Sequence, residues 1–157
     1  MTVFLPNSNF QKVLIRRFNF QSFKIPHTIQ IMSSFKPPNA TKQEIEKAAQ
    51  SNQQKILNLI DCRTPDKIKY DKKIINAVTV YSNDLISDFN NLSAKEFAEK
   101  YDGYKLPEDG STVIVHCNTG NGSGKLVTRI FEEDQELYKR FVFKHVEGGV
   151  RDYYGLG

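Results

Sequence analysis

A chain of 157 residues fits a single domain of roughly 100–200 residues and leaves no room for two catalytic lobes. Hydrophobic residues at 39% and charged residues at 25% match a folded globular chain, not a disordered one. No apolar run reaches the ~18–20 residues of a transmembrane helix. The net charge of +4 is unevenly placed, because residues 1–43 hold six of the 22 basic residues and no acid, so the other 16 face all 18 acidic ones. The basic face that marks nucleic-acid binding is therefore not expected on the domain.

Within the acid-free segment, Phe10, Val13, Leu14 and Phe18 recur at helical spacing, with Lys12, Arg16 and Asn19 lying mostly away from them. That pattern is the signature of an organellar transit peptide, and Pro26 ends the helix it would form. A secretory signal fits less well, since Val13-Leu14-Ile15 is short and runs straight into two arginines. Residues 1–40 are read as a basic leader addressed to mitochondria. The alternative is a cytoplasmic form started at Met32. Cys62 and Cys117 have no partners at metal-ligand spacing, which excludes a zinc site. Two free thiols in a reducing compartment is a simpler reading than one disulfide.

The domain is expected over residues 41–157. Thr41 and Glu44 form a capping box that opens a helix to about Gln50. The apolar run at residues 56–60 has the length of a buried parallel strand and is stopped by Thr64-Pro65. Residues 66–92 are polar and mixed, with a strand predicted at 77–80. Ser93 and Glu96 form a second capping box, and the helix after it carries Phe97 and Tyr101 on one side. A second buried strand at residues 112–115 runs into His116-Cys117, and a glycine-rich loop over residues 118–124 follows. Helical spacing returns with Leu126, Ile130, Phe131 and Leu137, although Glu132-Glu133-Asp134 interrupts it. A last strand is predicted at 141–143, before Glu147-Gly148-Gly149. Alternating strands and helices define an α/β class with a largely parallel sheet.

The stretch from Val113 to Lys125 carries the chemistry. A strand delivers Cys117 to the carboxyl edge of the sheet, where open α/β sheets place their ligands. Glycines at positions 120, 122 and 124 let the backbone curl, and a helix starts just afterwards. Such a turn aims several backbone N–H groups inward at the positive end of a helix, a setting that favours a nucleophilic thiolate. An inert buried cysteine would not need such a loop after it. Cys62 sits within a strand end and is read as core. A Walker phosphate loop fails, because only three residues separate Gly120 from Gly124 and Leu126 stands where Ser or Thr is required.

Over about residues 41–154 the chain resembles the rhodanese-like family. Asp61-Cys62-Arg63 is similar to that family's strand-end Asp-x-Arg. Gly120 and Ser123 fall three and six places after Cys117, as in its cysteine-to-serine loop. The Tyr101 helix and the Pro107 loop match small single-domain members. Residues 147–153, Glu-Gly-Gly-Val-Arg-Asp-Tyr, resemble the closing Glu-Gly-Gly-Ile-x-x-Trp, with tyrosine in the tryptophan place. The resemblance implies a three-layer αβα fold around a mainly parallel five-stranded sheet. It also implies sulfur transfer through a persulfide on Cys117, from thiosulfate or another persulfide to a small or protein thiol acceptor, with no cofactor. Asn118, Thr119, Gly120, Asn121, Gly122 and Ser123 would bind the transferred sulfur. Arg63 would position the loop or attract an anion, or else pair with Asp61.

Two departures bear on substrate. The loop positions that are commonly basic in the family hold Asn118 and Gly122. Their loss removes charge-assisted hydrogen bonds worth roughly 1.5–3 kcal/mol each, so thiosulfate should be a poor donor. The family's Gly-His before its second strand is replaced by Lys72-Lys73. The nearest rival is a cysteine-dependent phosphatase or arsenate reductase, whose pattern places an arginine where this chain has Ser123, so its oxyanion clamp is missing. A non-catalytic binding module on the same fold would ordinarily have lost the cysteine.

Overall fold

The computed structural model describes residues 35–69 and 72–156. The amphipathic leader pattern and Met32 lie outside the described residues. Residues 35–40, grouped above with the leader, lie against the domain. The Phe35 ring stacks on Phe131 with centroids 3.9 Å apart, and Asn39 bridges His145.

Eleven elements follow in the described residues: α1 (Lys42–Gln53), β1 (Leu59–Asp61), α2 (Pro65–Ile68), β2 (Val78–Thr79), α3 (Leu85–Asn91), α4 (Ala94–Lys100), β3 (Thr112–His116), α5 (Asn121–Glu133), α6 (Gln135–Arg140), β4 (Val142–His145) and α7 (Gly149–Tyr153). All strand pairs are parallel, in the order β2-β1-β3-β4. The expected αβα layering is present, but the sheet has four strands where five were expected. The fifth position, outside β4, is held by the single Asn39–His145 bridge, flanked by hydrogen bonds from Ala40 N to His145 O and from His145 N to Pro38 O. Pro37 and Pro38 have no N–H to donate, so a ladder cannot extend there. Among the described residues, no helix is long and apolar enough to cross a membrane.

Both capping boxes form as the sequence dictates. The Thr41 and Ser93 hydroxyls accept from the Glu44 and Glu96 amides, and the two glutamates reach back to the capping residues' own amides. Helix α1 then buries Ile45, Ala48, Ala49 and Asn52, one stripe at i, i+3, i+4 and i+7. Its stripe covers Leu59, Ile114 and Ala77 on one face of the sheet, together with Val150 from α7. The other face carries Ile60, Val113, Val115 and Phe143 under Phe89, Phe97, Leu126, Val127 and Ile130. Phe89 makes edge-to-face contacts with Phe97 and Phe141, each at 5.7 Å, and so seats α3, an element with no signal in the sequence.

One buried side chain ties three segments together. Asn52 Nδ2 donates to the carbonyls of Leu59 and Asn76, both at 2.8 Å, while its Oδ1 accepts from the amides of Asn58 at 2.8 Å and Leu59 at 3.0 Å. It thereby bonds backbone groups at the start of β1, of which the Asn58 amide also reaches the Ile56 carbonyl at 3.0 Å. An unsatisfied buried polar group costs roughly 1–3 kcal/mol. Asn52→Ala should therefore lower stability by about 3 kcal/mol, read from the urea midpoint at constant slope. A loss below about 1 kcal/mol would contradict this role.

Candidate active site

Strand β3 ends at His116, and Cys117 leaves it at the carboxyl edge, 8% exposed. The chain turns through residues 118–120 and enters α5 at Asn121, so the helix starts inside the glycine-rich stretch and the expected loop over 118–124 is shorter by four residues. Cys117 Sγ accepts from the Ser123 amide at 3.4 Å and faces the Ser123 hydroxyl at 3.6 Å. The single hydroxyl proton serves either this sulfur or the Gly120 carbonyl, 3.0 Å away. The sulfur thus lies at the positive end of a 13-residue helix, where partial positive charge favours an anion. Among the described residues, the amides of residues 118–122 donate to no other group.

Glycines are required here by close approach. Gly120 has φ 79°, and a Cβ on it would lie 2.6 Å from the Gly148 amide nitrogen. Gly149 has φ 65°, and its Cβ would lie 2.4 Å from the Cys117 carbonyl oxygen. Around that contact, the amides of Val150 and Arg151 donate to the carbonyls of Cys117 and Asn118 at 2.9 and 3.2 Å. These bonds turn the loop carbonyls toward α7. Gly122 plays a different part, since a Cβ there would sit 3.4 Å from Cys117 Sγ, in the space above the sulfur.

The structure brings Gly122 and Ser123 to the Cys117 sulfur, with the Gly120 carbonyl bonded to the Ser123 hydroxyl. Asn118, Thr119 and Asn121 lie on the same turn, with Thr119 and Asn121 exposed. Arg63 is not brought to this turn. It is 4% exposed, its Nε and Nη2 bind the Asp61 carboxylate at 3.0 and 2.8 Å, and Nη2 also reaches the Lys72 carbonyl at 2.9 Å. A buried pair of this kind is costly to break, because removing one partner strands the other charge. Lys73 donates to Thr79 Oγ1 at 3.3 Å, and burial holds its ammonium below the usual lysine range. Cys62 is buried in the core, as expected, and burial pushes its thiol up to about 12. The backbone of Gly149 and Val150 is the site component that residue-type reasoning missed. Its signal is the Glu147-Gly148-Gly149 stretch after the last strand, within the segment that resembles the family's closing motif.

An open cleft of about 540 Å³ flanks the loop, lined by Thr119, Lys125, His145 and Glu147 among others. A larger one, about 680 Å³, lies by Thr112 and Lys105 at the opposite end of β3, away from Cys117. No cluster of His, Cys, Asp or Glu among the described residues is arranged to hold a metal ion.

These features define an α/β protein with a cysteine cradled by a helix-opening loop at the carboxyl edge of a parallel sheet. The sequence profile of the rhodanese-like domain matches residues 37–155, and the chain belongs to that family. Among solved structures, it is similar to the human single-domain sulfurtransferase TSTD1, at 14% identity, 76% of this chain, 97% of the other and a TM-score of 0.55. The Saccharomyces cerevisiae single-domain sulfurtransferase RDL2 aligns at 22% identity over 79% of this chain and 94% of its own, with a TM-score of 0.51. A Rhodopseudomonas palustris protein of unknown function, named as a possible tyrosine phosphatase, aligns at 14% identity over 98% and 96%, with a TM-score of 0.53. At these identities the likeness is one of fold. No curated protein sequence matches the chain.

His116, directly before the cysteine, faces the other way. Its register partner is Asp61, it is fully buried, and neither ring nitrogen has a hydrogen-bond partner among the described residues. Burial pushes it down from 6.5 to about 4, with Asp61 opposing and Arg63 assisting. The unfolded chain therefore binds this proton between pH 6.5 and 4 while the folded protein does not, so stability falls as pH drops through that window. The expected contribution is about 3 kcal/mol by the acid end of the window and none above its neutral end. His116→Gln should flatten the slope of urea midpoint against pH between those limits. An unchanged slope would sink the assignment.

Proposed function

We propose that this protein is a sulfurtransferase in which Cys117 takes a sulfane sulfur from a donor and passes it to a thiol acceptor. The observation that carries the reading is the Ser123 amide and hydroxyl on Cys117 Sγ at the mouth of α5. The thiolate attacks the outer sulfur of the donor, a sulfur–sulfur bond forms, and the remainder of the donor leaves with the electron pair of the broken bond. The product is a Cys117 persulfide whose negative outer sulfur sits among the amides of residues 118–122. An acceptor thiolate then takes that sulfur and regenerates Cys117. Every step uses sulfur nucleophiles and backbone donors, with no cofactor.

The loop has no side-chain cation beside the sulfur, since Asn118 and Gly122 stand at the commonly basic positions and Arg63 is bound to Asp61. This supports a persulfide, on a small thiol or a protein, as a better donor than thiosulfate. The same feature weakens the phosphatase reading, because Ser123 offers one amide and one hydroxyl where phosphoryl transfer needs a bidentate clamp. The acid-free leader supports delivery to mitochondria, with a form started at Met32 staying in the cytoplasm. Fluorescent fusions of the full chain and of residues 32–157 should then separate between the two compartments.

Intact mass after exposure to glutathione persulfide should show a cyanide-labile gain of one sulfur atom, absent in Cys117→Ser. No adduct from either glutathione persulfide or thiosulfate would overturn the reading. Gly122→Arg should raise kcat/KM for thiosulfate by about tenfold or more, the equivalent of one charge-assisted hydrogen bond. The persulfide donor should gain less.

A further inference from the structure

Cys62 and Cys117 are neighbours across the sheet. Strands β1 and β3 run parallel with Ile60 opposite Val115 and Asp61 opposite His116, so the next pair along is Cys62 and Cys117. The last rung is intact, because the Cys62 amide donates to the His116 carbonyl at 3.0 Å. Side chains alternate along a strand, so residues two apart share a face. Ile60, Val113 and Val115 lie in the same buried cluster as both cysteines, whereas Leu59 and Ile114 lie in the other. Both thiols therefore project to one side from adjacent strands. Strands in a sheet lie about 4.8 Å apart, inside the roughly 4.4–6.8 Å between Cα atoms that a disulfide spans. Both cysteines are reduced here.

From this geometry we infer that Cys62 is a resolving cysteine: it discharges a stalled Cys117 persulfide as hydrosulfide and closes a Cys62–Cys117 disulfide. The inference rests on the sulfur-transfer reading above. The Cys62 sulfur attacks the inner sulfur, Cys117 Sγ, and the new bond joins the two cysteines. The bond from Sγ to the outer sulfur breaks, and its electron pair leaves with that outer sulfur. The outer sulfur takes the Cys62 proton and departs as hydrosulfide. The Cys62 sulfur is oxidised and the outer sulfur is reduced, so no outside oxidant enters. The disulfide occupies the nucleophile and halts further turnover until a thiol reductant reopens it. Burial keeps Cys62 protonated at neutral pH, so this discharge is slow and competes only when no acceptor arrives.

The test loads the full chain with glutathione persulfide, removes the donor, and follows intact mass and released hydrosulfide over time. Wild-type protein should lose the added sulfur, release hydrosulfide, and end two hydrogen atoms lighter than it began. Proteolytic mapping should then locate a Cys62–Cys117 link within one chain, a readout that needs no variant. Cys62→Ser and Cys62→Ala should take up sulfur normally and hold it about tenfold longer or more. Equal adduct lifetimes in wild type and both variants, or a link only between two chains, would overturn the resolving role alone. Absence of sulfur uptake in all three would overturn the sulfur-transfer reading and this inference with it, which keeps the two failures distinct.

Discussion

Everything at the site depends on two glycine-bearing segments being packed closer than side chains allow. Gly120 presses on the Gly148 amide and Gly149 on the Cys117 carbonyl, with the Val150 amide donating to that same oxygen. Because the loop carbonyls are committed outward to α7, the amides between them are left toward the cysteine. The left-handed turns at Gly120 and Gly148 let those two backbones come into contact. A methyl group at either contact would have to displace backbone, with no flexible side chain able to move aside.

The charges near the site are sorted by face. Asp61, Arg63 and His116 lie together at the ends of β1 and β3, and the Asp61 carboxylate holds the Arg63 guanidinium. On the other face Cys117 meets the Ser123 amide and hydroxyl at the positive end of α5, with Cys62 beside it in the buried cluster. Stabilisation of a sulfur anion by dipoles of fixed direction selects for position more than for total charge. A small singly charged sulfur suits that environment better than a sulfonate, which seeks cationic donors.

Much of this was legible in the residues because the relevant signals are local. Capping boxes at Thr41 and Ser93, the buried run into Cys117 and the break at Asp134 each depend on neighbours within a turn, and each element formed where its signal stood. The strand expected at 56–60 instead pairs over Leu59–Asp61, while Ile56 and Leu57 bond to Lys105 and Asn52 takes the amides of Asn58 and Leu59. That competition is tertiary and leaves no local trace. Helix α3 escaped notice for a similar reason, since it is positioned by aromatic contacts and by the buried Asp88, which accepts from Lys100 and Tyr101. The cysteine loop could be read as a nest, but its depth could not, because that is set by glycines some thirty residues away in the chain.

The two outer edges of the sheet show how other molecules can and cannot approach. Strand β2 has two residues, and β4 is covered by a proline-flanked bridge at Asn39. Among the described residues, neither edge is a long strand with a full row of amides and carbonyls facing outward. Another molecule reaches Cys117 through the side chains and loops around the carboxyl end of β3.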